Sequence, residues 1–290
     1  MNTITRHSVW ATGMAGLLAF SGSAAASGIR AAEGIGYYIG VDSLQTVASG
    51  TFAGLANPNA GRLTLLLDHG NHFHGIGAYS YTGTAAAPVV QPTSANNRLP
   101  EPSSRVDEAT SSIALQAGSG AYAGRWVSQP LAAGAPAADY SYLGGASIQS
   151  LSGLGTAAGV LYNSSAGRWN AAFSDVVVGL KLESISSGLK VAIGNEMDAF
   201  AAGVGSVFTL GDSGSLNFLP TFHADANVAP GVYSAQFSLV NLGGNSAVQS
   251  GGSFAYDFSV AAPVPEPQTW ALMLIGLAAA AGMARRRKVG

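Results

Sequence analysis

An all-β chain folded as an antiparallel β-sandwich is what this sequence predicts, and three observations carry the prediction. In "YSAQFSLV", Tyr233, Ala235, Phe237 and Leu239 alternate with small polar residues, and in "FAYDFSV" Phe254, Tyr256, Phe258 and Val260 alternate with Ala255, Asp257 and Ser259. Period-two alternation sends one set of side chains to a buried face and the other to solvent, which is what a half-buried strand requires. Glycine makes up 39 of the 290 residues, about twice the usual share, which suits a fold with many tight turns. Between residues 27 and 261 no long stretch repeats its apolar residues at helical spacing. That length suits one large all-β domain or two smaller subdomains.

The chain divides into three parts. Residues 1–26 have a basic start, an apolar run from Val9 to Phe20 and small residues ending Ala24-Ala25-Ala26, the three parts of a secretory signal peptide. The body, 27–261, follows. Its further predicted strands lie at 36–41, 63–67, 73–81, 112–116, 122–127, 176–185, 189–193, 207–210 and 216–218, with Gly, Pro, Asn, Asp and Ser between them. Short helices are expected at 157–161 and 197–202. Residues 88–105, "PVVQPTSANNRLPEPSSR", carry four prolines and little apolar content, so an exposed loop insertion is expected there.

Residues 262–290 form the last part. Pro265-Glu266-Pro267 precedes an apolar stretch from Trp270 to Ala284, then Arg285, Arg286, Arg287 and Lys288. As a helix this stretch reaches only about 22 Å, short for a bilayer crossing. The basic cluster marks the cytoplasmic side, so the body belongs across the membrane from it. This tail resembles the PEP-CTERM sorting signal of Gram-negative bacteria. The resemblance implies an exosortase as partner, cleavage near the motif after transient anchoring through 270–284, and display on the outer surface or in the extracellular matrix. It also suggests exopolysaccharide as a partner, because many such proteins are linked to biofilm.

Charge and cysteine narrow the function classes. The body holds eight Lys/Arg against fourteen Asp/Glu, about −6, whereas the tail's cluster brings the whole chain to −2. A mildly acidic body without a basic stripe argues against nucleic acid and leaves cations as natural partners. The cysteine count is zero, which excludes disulfides and a cysteine nucleophile.

The chain has five histidines, and three fall within six positions of "LLLDHGNHFHGIG". Asp68-His69-Gly70-Asn71 has turn composition, and His72-Phe73-His74 can begin the next strand. Residues two apart on a strand share a face, so His72 and His74 can hold one ion, with His69 as a third imidazole. Neutral imidazole suits zinc. His223, the one other body histidine, has Asp225 two residues on, and "GNEMDAF" adds Glu196 and Asp198 at the same spacing. The candidate zinc site is therefore His69, His72 and His74, then His223, with Asp68, Asp225, Glu196 or Asp198 completing or supporting it. Solvated histidines in a polar loop are the plain alternative.

Two other chemistries have sequence support. Gly211-Asp212-Ser213-Gly214-Ser215 resembles the nucleophile segment of chymotrypsin-like serine proteases, and His69, Asp107 and Ser213 follow the same chain order. The small-residue setting that family places around its histidine is missing, and Asp-Ser-Gly makes a good hairpin turn. A metal-free glycan-binding or biofilm-matrix protein would stack sugars on Trp126, Trp169, Tyr37, Tyr38, Tyr140 and Tyr142, although such aromatics are ordinarily core.

The body also resembles the PEP-CTERM proteins under control of the zinc-uptake repressor, through "LLLDHGNHFHGIGAYSYTG", "LESISSGLKVAIGNEMDAF" and "FTLGDSGSLNFLPTFHADANVAPGVYSAQFSLVN". This resemblance implies a surface protein made under zinc limitation and brings no enzymatic activity with it. The expected function is thus a non-enzymatic, zinc-binding accessory or scavenging protein.

Overall fold

The computed structural model describes residues 28–94, 96–101, 112–128, 140–171, 173–262 and 275–277. The signal peptide, Asp107, the sorting-motif residues Pro265, Glu266, Pro267 and Arg285 to Arg287, and most of the apolar stretch lie outside them. Residues 275–277 are helical and exposed. No helix among the described residues is long and apolar enough to cross a membrane.

The chain is mostly β and sandwich-like, with sheets sharing one core. One sheet of five strands runs, in spatial order, Asn217–Phe218, Gly144–Ser147, Ile35–Val41, Leu63–Asp68 and Phe73–Ile76. Gly144–Ser147 pairs parallel to Ile35–Val41, and the other neighbours are antiparallel. A second sheet runs Val207–Asp212, Val176–Ile185, Gly231–Gly244, Ser253–Val260 and Arg98–Leu99, with Ile113–Ala114 also on Ser253–Val260. A third has Leu189–Ile193, Pro220–Asp225, Arg125–Val127 and Gln116–Ala117. Ser80–Thr84 and Ala87–Gln91 make a separate exposed hairpin.

An aromatic seam ties the three sheets together. Tyr256 meets Tyr37 of the five-stranded sheet edge-on, with ring centroids 5.7 Å apart, and Phe222 of the third sheet at 5.4 Å. Phe222 also packs on Phe258 and Phe237. Each such pair adds about 0.5–1.5 kcal/mol beyond the area it buries. All seven residues of Ile35–Val41 are buried, because its second face lies under the segment carrying Ile148, Leu151, Leu161 and Trp169. Among the described residues one buried cluster spans the sheets.

Strands 176–185 and 189–193 form as their patterns predict, and the helix expected at 157–161 forms as Thr156–Tyr162. Several expectations change. The strand expected at 73–81 divides at Gly77, which has φ +75° and leaves room for a Cβ only 2.9 Å from Phe254. The chain there leaves one sheet and enters the exposed hairpin. Residues 88–105 are not simply an exposed loop: 87–91 complete that hairpin, with Pro88 tolerated in a two-stranded ribbon, and Arg98–Leu99 joins the second sheet. Residues 197–202 form turns instead of a helix, fixed by Ala201 N–H to Asp198 O and Gly203 N–H to Phe200 O, with Phe200 packed on Phe237. Tyr37, Tyr38 and Trp169 are core residues rather than exposed platforms.

The Ser213 turn is real but joins different sheets rather than a hairpin. Gly214 N–H donates to Asp212 Oδ1 at 2.9 Å, while Ser213 is buried with its Oγ 3.5 Å from the Val176 N–H. No histidine contact of Ser213 is seen among the described residues.

Candidate metal centre

The site is built on the end of the buried strand Leu63–Asp68. Its last residue, Asp68, is buried, and both carboxylate oxygens are used by backbone: Oδ1 accepts from Gly70 N–H at 2.6 Å and Oδ2 from Ile29 N–H at 2.8 Å. Burial pushes its pKa up, and these two N–H groups oppose that rise. Gly70 takes φ +82°, and His69 N–H donates to His72 O at 3.1 Å, closing a tight turn into Phe73–Ile76. Asp68 thus shapes the turn that presents His69 and ties the start of the described chain to it.

The turn gathers three imidazoles. His69 and His72 rings stack with centroids 5.3 Å apart, and His74 lies 4.2 Å from His69 and 4.9 Å from His72. His72 Nε2 and His74 Nε2 are 3.1 Å apart, with His72 just before the strand and His74 on it. Two nitrogens bound tetrahedrally at about 2.0–2.1 Å from one zinc would be roughly 3.3 Å apart.

Behind the histidines lies Glu101, whose side chain is fully buried. Its Oε2 is 3.0 Å from His69 Nε2, and its Oε1 is 2.7 Å from His74 Nδ1. The Tyr140 hydroxyl lies 3.5 Å from Oε2. Each of His69, His74 and Glu101 offers one ligand atom, and these atoms lie within 4.8 Å of one another. A carboxylate that accepts N–H from His74 Nδ1 leaves the neutral ring's Nε2 lone pair facing His72, which is how a carboxylate behind a histidine orients it as a ligand. Burial, then the neighbouring His74 and His69, lowers the pKa of His72. That favours the neutral, ligating form.

Other candidate residues lie elsewhere. His223 is in the third sheet, where its Nε2 contacts Met197 O at 2.8 Å and its Nδ1 lies 3.4 Å from an Arg125 nitrogen. Asp225 is exposed, 3.9 Å from Arg125. Glu196 sits in an exposed turn paired with Ile193, and Asp198 is 3.9 Å from Lys190. Glu101 was not among the sequence candidates. It is 27 residues from His74 and flanked by Pro100 and Pro102, and only the pairing of Arg98–Leu99 into the second sheet carries it under the turn.

Residues 263–288 match the PEP-CTERM protein-sorting motif. The chain carries a PEP-CTERM sorting signal. The motif implies export, recognition by an exosortase and sorting to the cell surface of a Gram-negative bacterium. The match covers the tail and none of the body, so it does not show the zinc-regulated group. No curated protein and no solved structure matches the chain significantly.

Proposed function

We propose that this exported, surface-sorted protein binds one zinc ion at the His69–His72–His74 turn and acts as a zinc accessory or scavenger, not as an enzyme. The observation that supports it is the buried Glu101 carboxylate spanning His69 Nε2 and His74 Nδ1, with His72 Nε2 3.1 Å from His74 Nε2. In the ion-bound form, imidazole nitrogens supply the metal's ligands and Glu101 either joins them or orients His74. The donor set is nitrogen and oxygen without sulfur, which suits zinc among the borderline divalent ions. A tight turn between two paired strands holds the histidines against the buried Glu101, so binding needs little reordering.

The test is zinc titration of the full-length chain after chelator treatment, in detergent. One equivalent is expected to bind, and the double substitution His69→Ala/His74→Ala should remove it. Failure of the folded parent chain to take up zinc would sink the reading.

A further inference from the structure

A cleft of about 420 Å³ lies between residues 44–59 and residues 79–81. We propose that this cleft binds a neutral saccharide. Its volume falls within the roughly 300–1,000 Å³ of small-molecule sites.

The walls are pre-formed by buried amides. Asn59 holds the Tyr79 backbone from both sides, accepting its N–H at 2.6 Å and donating to its carbonyl at 2.9 Å. Asn57 donates to Asp42 at 2.9 Å and to Leu44 O at 2.7 Å. A ligand therefore meets walls already fixed, and little affinity is spent on ordering them.

The lining's chemistry selects the ligand. Phe52 and Tyr81 form an aromatic pair with centroids 5.2 Å apart, neither of them buried, and Tyr79 lies beside them. Ser49 and Thr51 add hydroxyls, and Ser80, whose O–H donates to Thr93 O at 2.7 Å, adds an acceptor. A pyranose has one face of C–H groups, which stacks on an aromatic ring, and a rim of hydroxyls, which exchanges hydrogen bonds with such groups. Arg168 is the one charged side chain among the described lining residues, and the buried Asp42 engages it through two nitrogens. With that charge already matched, an acidic sugar finds no free cation, which leaves the neutral class. None of the histidine cluster lines the cleft, so this site stands apart from the zinc reading.

The test is a glycan array carrying neutral and acidic oligosaccharides, probed with the full-length chain and followed by calorimetry with the best binder. Saturable binding of a neutral oligosaccharide is expected. Phe52→Ala and Tyr81→Ala should each weaken it about tenfold or more, and Glu101→Gln should not change it. Ser49→Trp, on the exposed rim, should block it without touching the core, which covers the case of an unfolded aromatic variant. No neutral binder, a preference for acidic glycans, or binding indifferent to these cleft substitutions would each overturn the proposal.

Discussion

Two histidine sites in this molecule look alike in sequence and differ in kind. His72 and His74 are two apart, and so are His223 and Asp225. At His223 the strand Pro220–Asp225 is enclosed by Leu189–Ile193 and Arg125–Val127, and each ring nitrogen faces a fixed group of the protein. At the turn, His72 is exposed, and its Nε2 faces the Nε2 of His74, while His69 and His74 share Glu101. A buried imidazole bound to a carbonyl and a guanidinium is part of the core. At the turn, by contrast, ligand atoms of His69, His74 and Glu101 lie within 4.8 Å of one another, and the rings are held by a carboxylate and by each other rather than by backbone. Spacing along a strand specifies a shared face and says nothing about which of these outcomes that face meets.

His223→Ala gives the largest expected effect. It empties a fully enclosed position and strands Met197 O, so about 3 kcal/mol of stability should be lost. Chemical denaturation of the full-length chain measures this, and zinc uptake by the folded fraction should be unchanged. Loss of uptake in a folded His223 variant would break the distinction between the sites. His74→Ala should show the reverse pattern. Zinc affinity should fall by about 100-fold, equivalent to roughly 2.7 kcal/mol, with a smaller stability loss of about 1–2 kcal/mol, because the buried Glu101 Oε1 loses its His74 partner.

Glu101→Gln comes next and sharpens the roles within the turn. The amide keeps one acceptor for His69 or His74 but loses the charge, so zinc affinity should drop about 10- to 100-fold. An unchanged affinity with lowered stability would mean that Glu101 only holds the turn together. Calorimetric titration beside a thermal melt separates the outcomes.

The same contrast explains what was legible in the sequence. The strands 176–185 and 254–260 were readable because each has a periodic pattern and pairs along a continuous partner. Gly144–Ser147 was not, because its residues are selected for lacking bulk: a Cβ on Gly145 would lie 2.5 Å from the Phe218 ring. Pro220–Asp225 hides behind a proline that strands accept at their first residue. His69, His72 and His74 were legible as a group because one turn holds them. Glu101 was not, because its position depends on a parallel pairing with a strand more than 150 residues away, Ala255 opposite Arg98. Such a contact leaves no trace in local composition.

The smallest expected effect is on pH dependence, and it again divides the two histidine sites. Burial lowers the pKa of His223; its bond to Met197 opposes this, Arg125 and Lys190 add to the lowering, and Asp198 opposes it. Below the usual histidine value near 6.5, the unfolded chain then takes up a proton that the folded chain refuses. Stability should therefore be flat above about pH 7 and fall as pH drops from about 6.5 toward the lowered folded value, by at most about 1.4 kcal/mol per pH unit for one such group. His72 is shifted the same way, but its exposure makes its share smaller. Asp68 is shifted upward, so its effect has the opposite sign: stability falls as pH rises from its unfolded value near 3.8 to its folded one. Melts of the parent chain and of His223→Gln across pH 5 to 8 test the assignment, since glutamine can keep a donor toward Met197 O but does not titrate. The slope below about pH 6.5 should shrink in that variant and persist in His72→Gln. A slope that disappears with His72 instead would place the acid sensitivity at the turn and make the buried histidine electrostatically silent.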